Sequence, residues 1–325
     1  MVTWAQPTKQ YAFTHFTTAN GLASNFVNSI VQDGEGYIWL ATVNGLQRFD
    51  GYRFLTFQAT YKGHEGKLPS DQVSMLHLDK KGNLWMLTGG HQFGIFNTRT
   101  LQYTPVPVEG PVRTSYSAIT FMDAPDGKVV VQEAYGTVYQ WNEKKNLLEI
   151  TDKYNLLPKG WRSRKMVWDE KIARYWIAAD SGLALYNPAT KQLSYRNHNV
   201  ERHPAITALQ EAQIIMEVFL DKGGNISLIT WPPRTAHPYV YYYNGVQQKA
   251  TRHNLIETMG LGYHEINGLL QQQNGRQWIA GRPFLAEWQP ENNKFLLVQK
   301  EYRNKQGIQF DVVTGMLEDR ETNIW

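Results

Sequence analysis

Seven copies of one short motif, four strand-like runs per copy and the lack of any long helical pattern together predict an all-β fold. The arrangement they predict is a seven-bladed β-propeller of four-stranded blades. The motif is Asp33-Gly34-Glu35-Gly36-Tyr37-Ile38-Trp39-Leu40-Ala41-Thr42, and it returns as Asp79-Lys80-Lys81-Gly82-Asn83-Leu84-Trp85-Met86-Leu87-Thr88. With the Trp or its replacement as anchor, the copies fall at 39, 85, 130, 176, 227, 278 and 325, spaced by 45 to 51 residues. The third copy is degraded and reads as Asp126-Gly127-Lys128-Val129-Val130, with Val130 in the Trp place.

The elements follow in order within the first copy. Val27-Asn28-Ser29-Ile30-Val31 is a mostly apolar run suited to an inner strand. The Asp33–Gly36 stretch is a tight turn, since Asp bonds its own backbone and Gly accepts a positive φ. Residues 37–42 form the second strand and residues 45–50 the third; Asp50-Gly51 turns the chain into the fourth, 52–57. The same third and fourth strands recur at 182–187 and 192–195. The repeated Trp needs only a packing role, filling the wedge between neighbouring blades. The seventh copy stops inside its second strand at Trp325, and Tyr11–Thr17 resembles a fourth strand. That segment is expected to close the incomplete last blade. On this reading residues 1–10 are the tail of a signal peptide or a disordered start, residues 11–325 form one propeller domain, and the chain is a fragment of a longer protein.

Composition narrows the function classes. Charged residues make up 19% and the formal net charge is +4, with no Lys/Arg run, which argues against nucleic acid as a partner. There is no cysteine, so thiolate catalysis and Cys-type metal sites are out. No apolar stretch approaches the roughly 20 residues of a membrane span, so no direct membrane contact is expected. Nucleophile-elbow, phosphate-loop and zinc-protease motifs are missing, and the nine His stand at no ligand spacing. No cofactor, metal or catalytic residue is expected.

The stretch from Asn20-Gly21-Leu22 through Gln32-Asp33-Gly34 and Trp39 to Asn44-Gly45-Leu46-Gln47-Arg48-Phe49-Asp50-Gly51 resembles the two-component regulator propeller repeat. The third, fifth and sixth copies depart from it at the Trp, the Asp or the Gly. The resemblance implies a periplasmic sensor region of a hybrid two-component system histidine kinase of the kind typical of Bacteroidetes. It implies as partners a second propeller and an immunoglobulin-like domain of the same receptor, a homodimer in the full receptor, and an oligosaccharide as ligand. Two alternatives stay open: a propeller-fold polysaccharide hydrolase or lyase, and a purely structural spacer.

Candidate ligand contacts come from the loops of one propeller face, where binding groups collect on a rigid scaffold. Between second and third strands, most loops are minimal. Blade two carries His91, and blade five a longer, Pro-stiffened loop with Trp231, Arg234, His237 and Tyr239; blade six adds Arg282. Flat rings and planar donors of this kind suit sugars and carboxylates. The segments expected to lead into inner strands add Trp161, Arg162, Arg164, Arg202 and Arg252, a basic set fit for an acidic saccharide or an acidic partner domain.

Overall fold

Each repeat folds around its own turn. Asp33 accepts the backbone N–H groups of Glu35 and Tyr37 at 2.9 and 3.0 Å on one carboxylate oxygen, and the Trp39 indole N–H at 2.7 Å on the other. Gly36 takes φ 97°, a conformation that strains any residue with a Cβ. A turn so fixed sends two strands away antiparallel, and Trp39, wholly buried, caps the wedge beside it.

The structure, a computed structural model, describes residues 11–59, 67–112, 119–133, 137–154, 157–231, 238–255, 257, 265–289, 294–298 and 312–325. Blade one is β1 (Val27–Gln32), β2 (Ile38–Thr42), β3 (Gly45–Phe49) and β4 (Phe54–Phe57). Blade two is β5 (Val73–Leu78), β6 (Leu84–Thr88), β7 (Gln92–Asn97) and β8 (Gln102–Val106). Blade three is β9 (Ile119–Asp123), β10 (Val129–Glu133), β11 (Val138–Asn142) and β12 (Leu147–Ile150). Blade four is β13 (Ser163–Asp169), β14 (Arg174–Ala179), β15 (Gly182–Asn187) and β16 (Gln192–Tyr195). Blade five is β17 (Ile215–Leu220), β18 (Ile226–Thr230), β19 (Tyr239–Asn244) and β20 (Lys249–Asn254). Blade six is β21 (Glu265–Gln271), β22 (Gln277–Arg282), β23 (Leu285–Gln289) and β24 (Lys294–Leu297). Every sheet is an antiparallel meander in chain order. First strands of adjacent blades touch, β1 against β5 and β13 against β17, which puts them at the hub.

Six sheets form among the described residues, not seven. The seventh copy makes its turn: Trp325 donates from its indole to Asp319 at 2.7 Å, and Leu317 and Trp325 exchange backbone bonds at 3.1 and 2.8 Å. This pairing amounts to one isolated bridge, Glu318 to Ile324, and no strand forms there among the described residues. Tyr11–Thr17 is not a strand either. The segment has no backbone ladder to a neighbouring strand, and its aromatic side chains do most of the holding. Tyr11 lies edge-on to Trp278 of blade six at 5.2 Å, and Phe16 stacks on Trp325 at 5.9 Å. Aromatic packing therefore closes the ring where a strand ladder was expected. Residues 1–10 lie outside the described residues.

The apolar clusters sit between blades, each built on an anchor. Trp39 packs with Phe57, Leu76 and Phe96, and Trp85 with Val129 and Tyr139. Trp176 packs with Tyr241 and with a one-turn helix, α1 (Pro204–Ala208). The degraded copies explain themselves in pairs. Blade three has Ala124 at the Asp position, so Asp126 is not the equivalent residue, and Val130 in the Trp place leaves no indole N–H to satisfy. Blade six keeps Trp278 and replaces the Asp by Gln272, whose Oε1 accepts the indole N–H at 2.8 Å.

Candidate functional site

One face of the ring carries the loops between second and third strands together with those leading into first strands. The two kinds of loop are tied to each other. Asn44 donates to Ala23 O at 3.2 Å, Gly89 N–H to Gln72 O at 2.9 Å, Arg162 N–H to the Asp180 carboxylate at 3.0 Å, and Trp231 N–H to Ile214 O at 3.0 Å. Thr42, Thr88 and Thr230, each three residues past the anchor, bond across their hairpins to Gly45 O, Gln92 O and Tyr239 O. These bonds make the face rigid. The Asp turns lie at the opposite ends of the strands.

The candidates distribute unevenly over this frame. Trp161, half-buried, packs edge-on against Tyr195 at 5.2 Å and lies over Gly182 of the β14–β15 hairpin. Arg162 is exposed beside it. Arg164 is not in a loop; it is the second residue of β13. His91 sits in the β6–β7 turn at φ 58° with its Nε2 buried, Trp231 is half-buried at the end of β18, and exposed Arg282 ends β22. Arg234 and His237 lie outside the described residues.

Two candidates leave the face. Arg252 belongs to the outermost strand β20, where its guanidinium stands over the Tyr239 ring at 5.1 Å, an outer-rim pair. The next residue, His253, is buried against Trp288 and Phe295 of blade six, and burial holds its imidazole below the usual range. Arg202 follows Glu201, which accepts from Arg174 Nε at 3.0 Å and from Asn187 at 2.6 Å. Both partners mark the turn ends of blade four, so the chain has run down the outside of the blade before α1 returns it. Arg202 thus stands on the opposite side from Arg162. His203 caps α1 through Nδ1, which accepts the Ala205 N–H at 3.2 Å, and burial lowers its pKa as well.

The hub adds four residues that the sequence did not single out and places Arg164 among them. Five first strands carry a β-bulge at one place, just inside the loop face, with Asn28, Ser74, Arg164, Met216 and Asn267 as the extra residues. Such a residue is re-aimed out of the ladder. Below Arg164, Lys165 pairs with Glu217 of blade five. Burial pushes the Glu217 carboxyl up against the pull of that lysine. A cleft of about 430 Å³ on the far side of blade three is lined by Gln140, Asn142 and Glu149, but these already bond Tyr154 and one another.

Residues 21–44 match the family model described as two component regulator propeller. The repeat read from the sequence is borne out. The fold is similar to the extracellular domain of a putative hybrid two component system from B. thetaiotaomicron, with a TM-score of 0.72 and 19% identity over 97% of this chain and 40% of that one. A second such domain from the same organism gives 0.66 and 14% over 96% and 40%. The WD40 propeller domain of Doa1 gives 0.59 and 12% over 97% and 90%. The chain thus spans about 40% of the length of those extracellular domains. No curated protein matches the sequence. No helix among the described residues is long and apolar enough to cross a membrane.

Proposed function

We propose that this propeller is a ligand-sensing module of the periplasmic region of a hybrid two-component sensor histidine kinase, and that its ligand is an oligosaccharide. The observation that carries the reading is the regulator propeller repeat at residues 21–44 within a ring shaped like two extracellular sensor domains. The hydrogen-bonded loop face, with Trp161, Arg162, Trp231, His91 and Arg282, supplies flat rings and planar donors on a rigid support. A ligand can bias signalling only through unequal affinity for two arrangements of the receptor. A rigid ring offers one, so the saccharide is shared with neighbouring parts of the receptor, a second propeller and an immunoglobulin-like domain. The propeller is read as binding, not catalytic, and as a receptor part that dimerises with a second copy.

Calorimetry with an oligosaccharide panel, on this chain and on the whole periplasmic region, tests the reading. One saccharide is expected to bind the whole region at least ~10-fold tighter than this chain, a difference of about 1.4 kcal/mol. Release of reducing or unsaturated ends by the purified protein, or no binding by the whole region, would contradict it.

A further inference from the structure

The residue at this position has the same task in three repeats. Asn28 Nδ2 donates to Val73 O at 2.8 Å and Asn267 Nδ2 to Val313 O at 2.8 Å. Thr314, at the same place in the seventh copy, donates from Oγ1 to Val27 O at 2.8 Å. Each bond runs from one repeat to the first hub residue of the next. Together they belt the hub from blade six, through the seventh turn and blade one, to blade two.

There the belt stops. Ser74 Oγ is buried and bonds nothing among the described residues, β9 has no bulge over its described length, and Met216 has no donor. Arg164 is the exception that matters. Its Nε is buried and unpartnered among the described residues. A guanidinium stays charged at any physiological pH, and leaving one of its donors dry and unbonded is costly, while the fork's outer nitrogens stay open to a ligand. The nearest carboxylate of the neighbouring hub strand, Glu217, is already committed to Lys165. The site is thus a half-buried, uncommitted cation at the channel mouth, two residues past the exposed Arg162 and three past Trp161.

We propose that Arg164 anchors an oxyanion subsite at the channel mouth between blades four and five, and that the group it takes is the carboxylate of an acidic sugar. The planar fork of arginine matches a carboxylate with two parallel bonds, where a hydroxyl offers it one. This rests on the sensor reading and deepens it. The subsite lies within one propeller, so this chain carries it alone.

Titration of the chain with a glucuronate-containing disaccharide, a neutral disaccharide of the same size and inorganic sulfate tests it. The glucuronate sugar is expected to bind at about millimolar strength, at least ~10-fold tighter than the neutral one. Arg164→Asn should abolish that preference while installing the side chain that belts the other arc, raising Tm by about 2 °C. Arg164→Lys keeps the charge without the fork and should retain part of the preference. Equal binding of the two sugars, a preference that survives Arg164→Asn, sulfate binding as tightly as the glucuronate sugar, or a fall in Tm for Arg164→Asn would each overturn the subsite. Any of these leaves the sensor reading standing, because that reading fails only if the whole periplasmic region binds no saccharide.

Discussion

The hub has two arcs that differ at one position of the repeat. From blade six round to blade two, Asn267, Thr314 and Asn28 reach the next repeat and bond its first carbonyl. From blade two round to blade five, Ser74, Arg164 and Met216 occupy the same bulge without doing so. The ring holds in both arcs, so wedge packing by the anchors suffices for closure and the bulge is free to vary. A position that the scaffold does not need is one that recognition can use.

The largest expected effect lies in the open arc. Lys165→Met leaves the half-buried Glu217 carboxylate without its partner and should cost up to about 3 kcal/mol by denaturant unfolding near neutral pH, with Glu217→Gln in the same chain restoring most of it. Burial already raises the Glu217 pKa. A carboxyl so raised stabilises the fold below its unfolded pKa and loses that contribution as pH climbs through its folded one. The deficit of Lys165→Met should therefore widen as pH rises above the usual glutamate range. A constant deficit would mean that the pair is wet. The matching contact in the belted arc is the Leu76 N–H to Ser29 Oγ bond at 3.2 Å, and losing it through Ser29→Ala should cost no more than about 1 kcal/mol.

Next in size is Gln272→Ala, which strands the buried Trp278 N–H and should cost about 1–3 kcal/mol. Asn28→Ala breaks one belt bond and should cost about 1 kcal/mol, whereas Ser74→Ala, at the same place in the open arc, removes an unbonded hydroxyl and should be neutral or stabilising. Equal costs for these two would erase the distinction between the arcs. The smallest effect concerns His253, whose folded pKa is lowered by burial. Its contribution is present above the unfolded pKa and is lost as pH falls through the folded one, so His253→Phe should flatten the stability slope below about pH 6.5.

Strand limits and the Asp–Trp turns were readable because both rest on local chemistry repeated at a steady interval. The sixth copy hid its acceptor, since Gln272 does the work of an Asp with one more methylene. The third hid its register, because with Ala124 and Val130 neither partner of the pair remained to align on. Arg252 reads as loop because the solvent side of an outermost strand shows no apolar alternation. The descent of the chain past Glu201 depends on Arg174 and Asn187, distant in sequence. A bulge leaves the spacing between anchors unchanged, so nothing in the repeat announced the hub position of Arg164. The seventh copy was overread for a related reason: the turn motif specifies a hairpin, and a blade needs ladders on both sides of it.

Hydrogen exchange with and without the glucuronate disaccharide bears most directly on the division into a structural and a recognising arc. Slower exchange is expected in Ser163–Asp169 and Ile215–Leu220, with Val27–Gln32 unchanged. Slowing confined to Val27–Gln32, or none in any hub strand while the sugar is bound, would contradict the account.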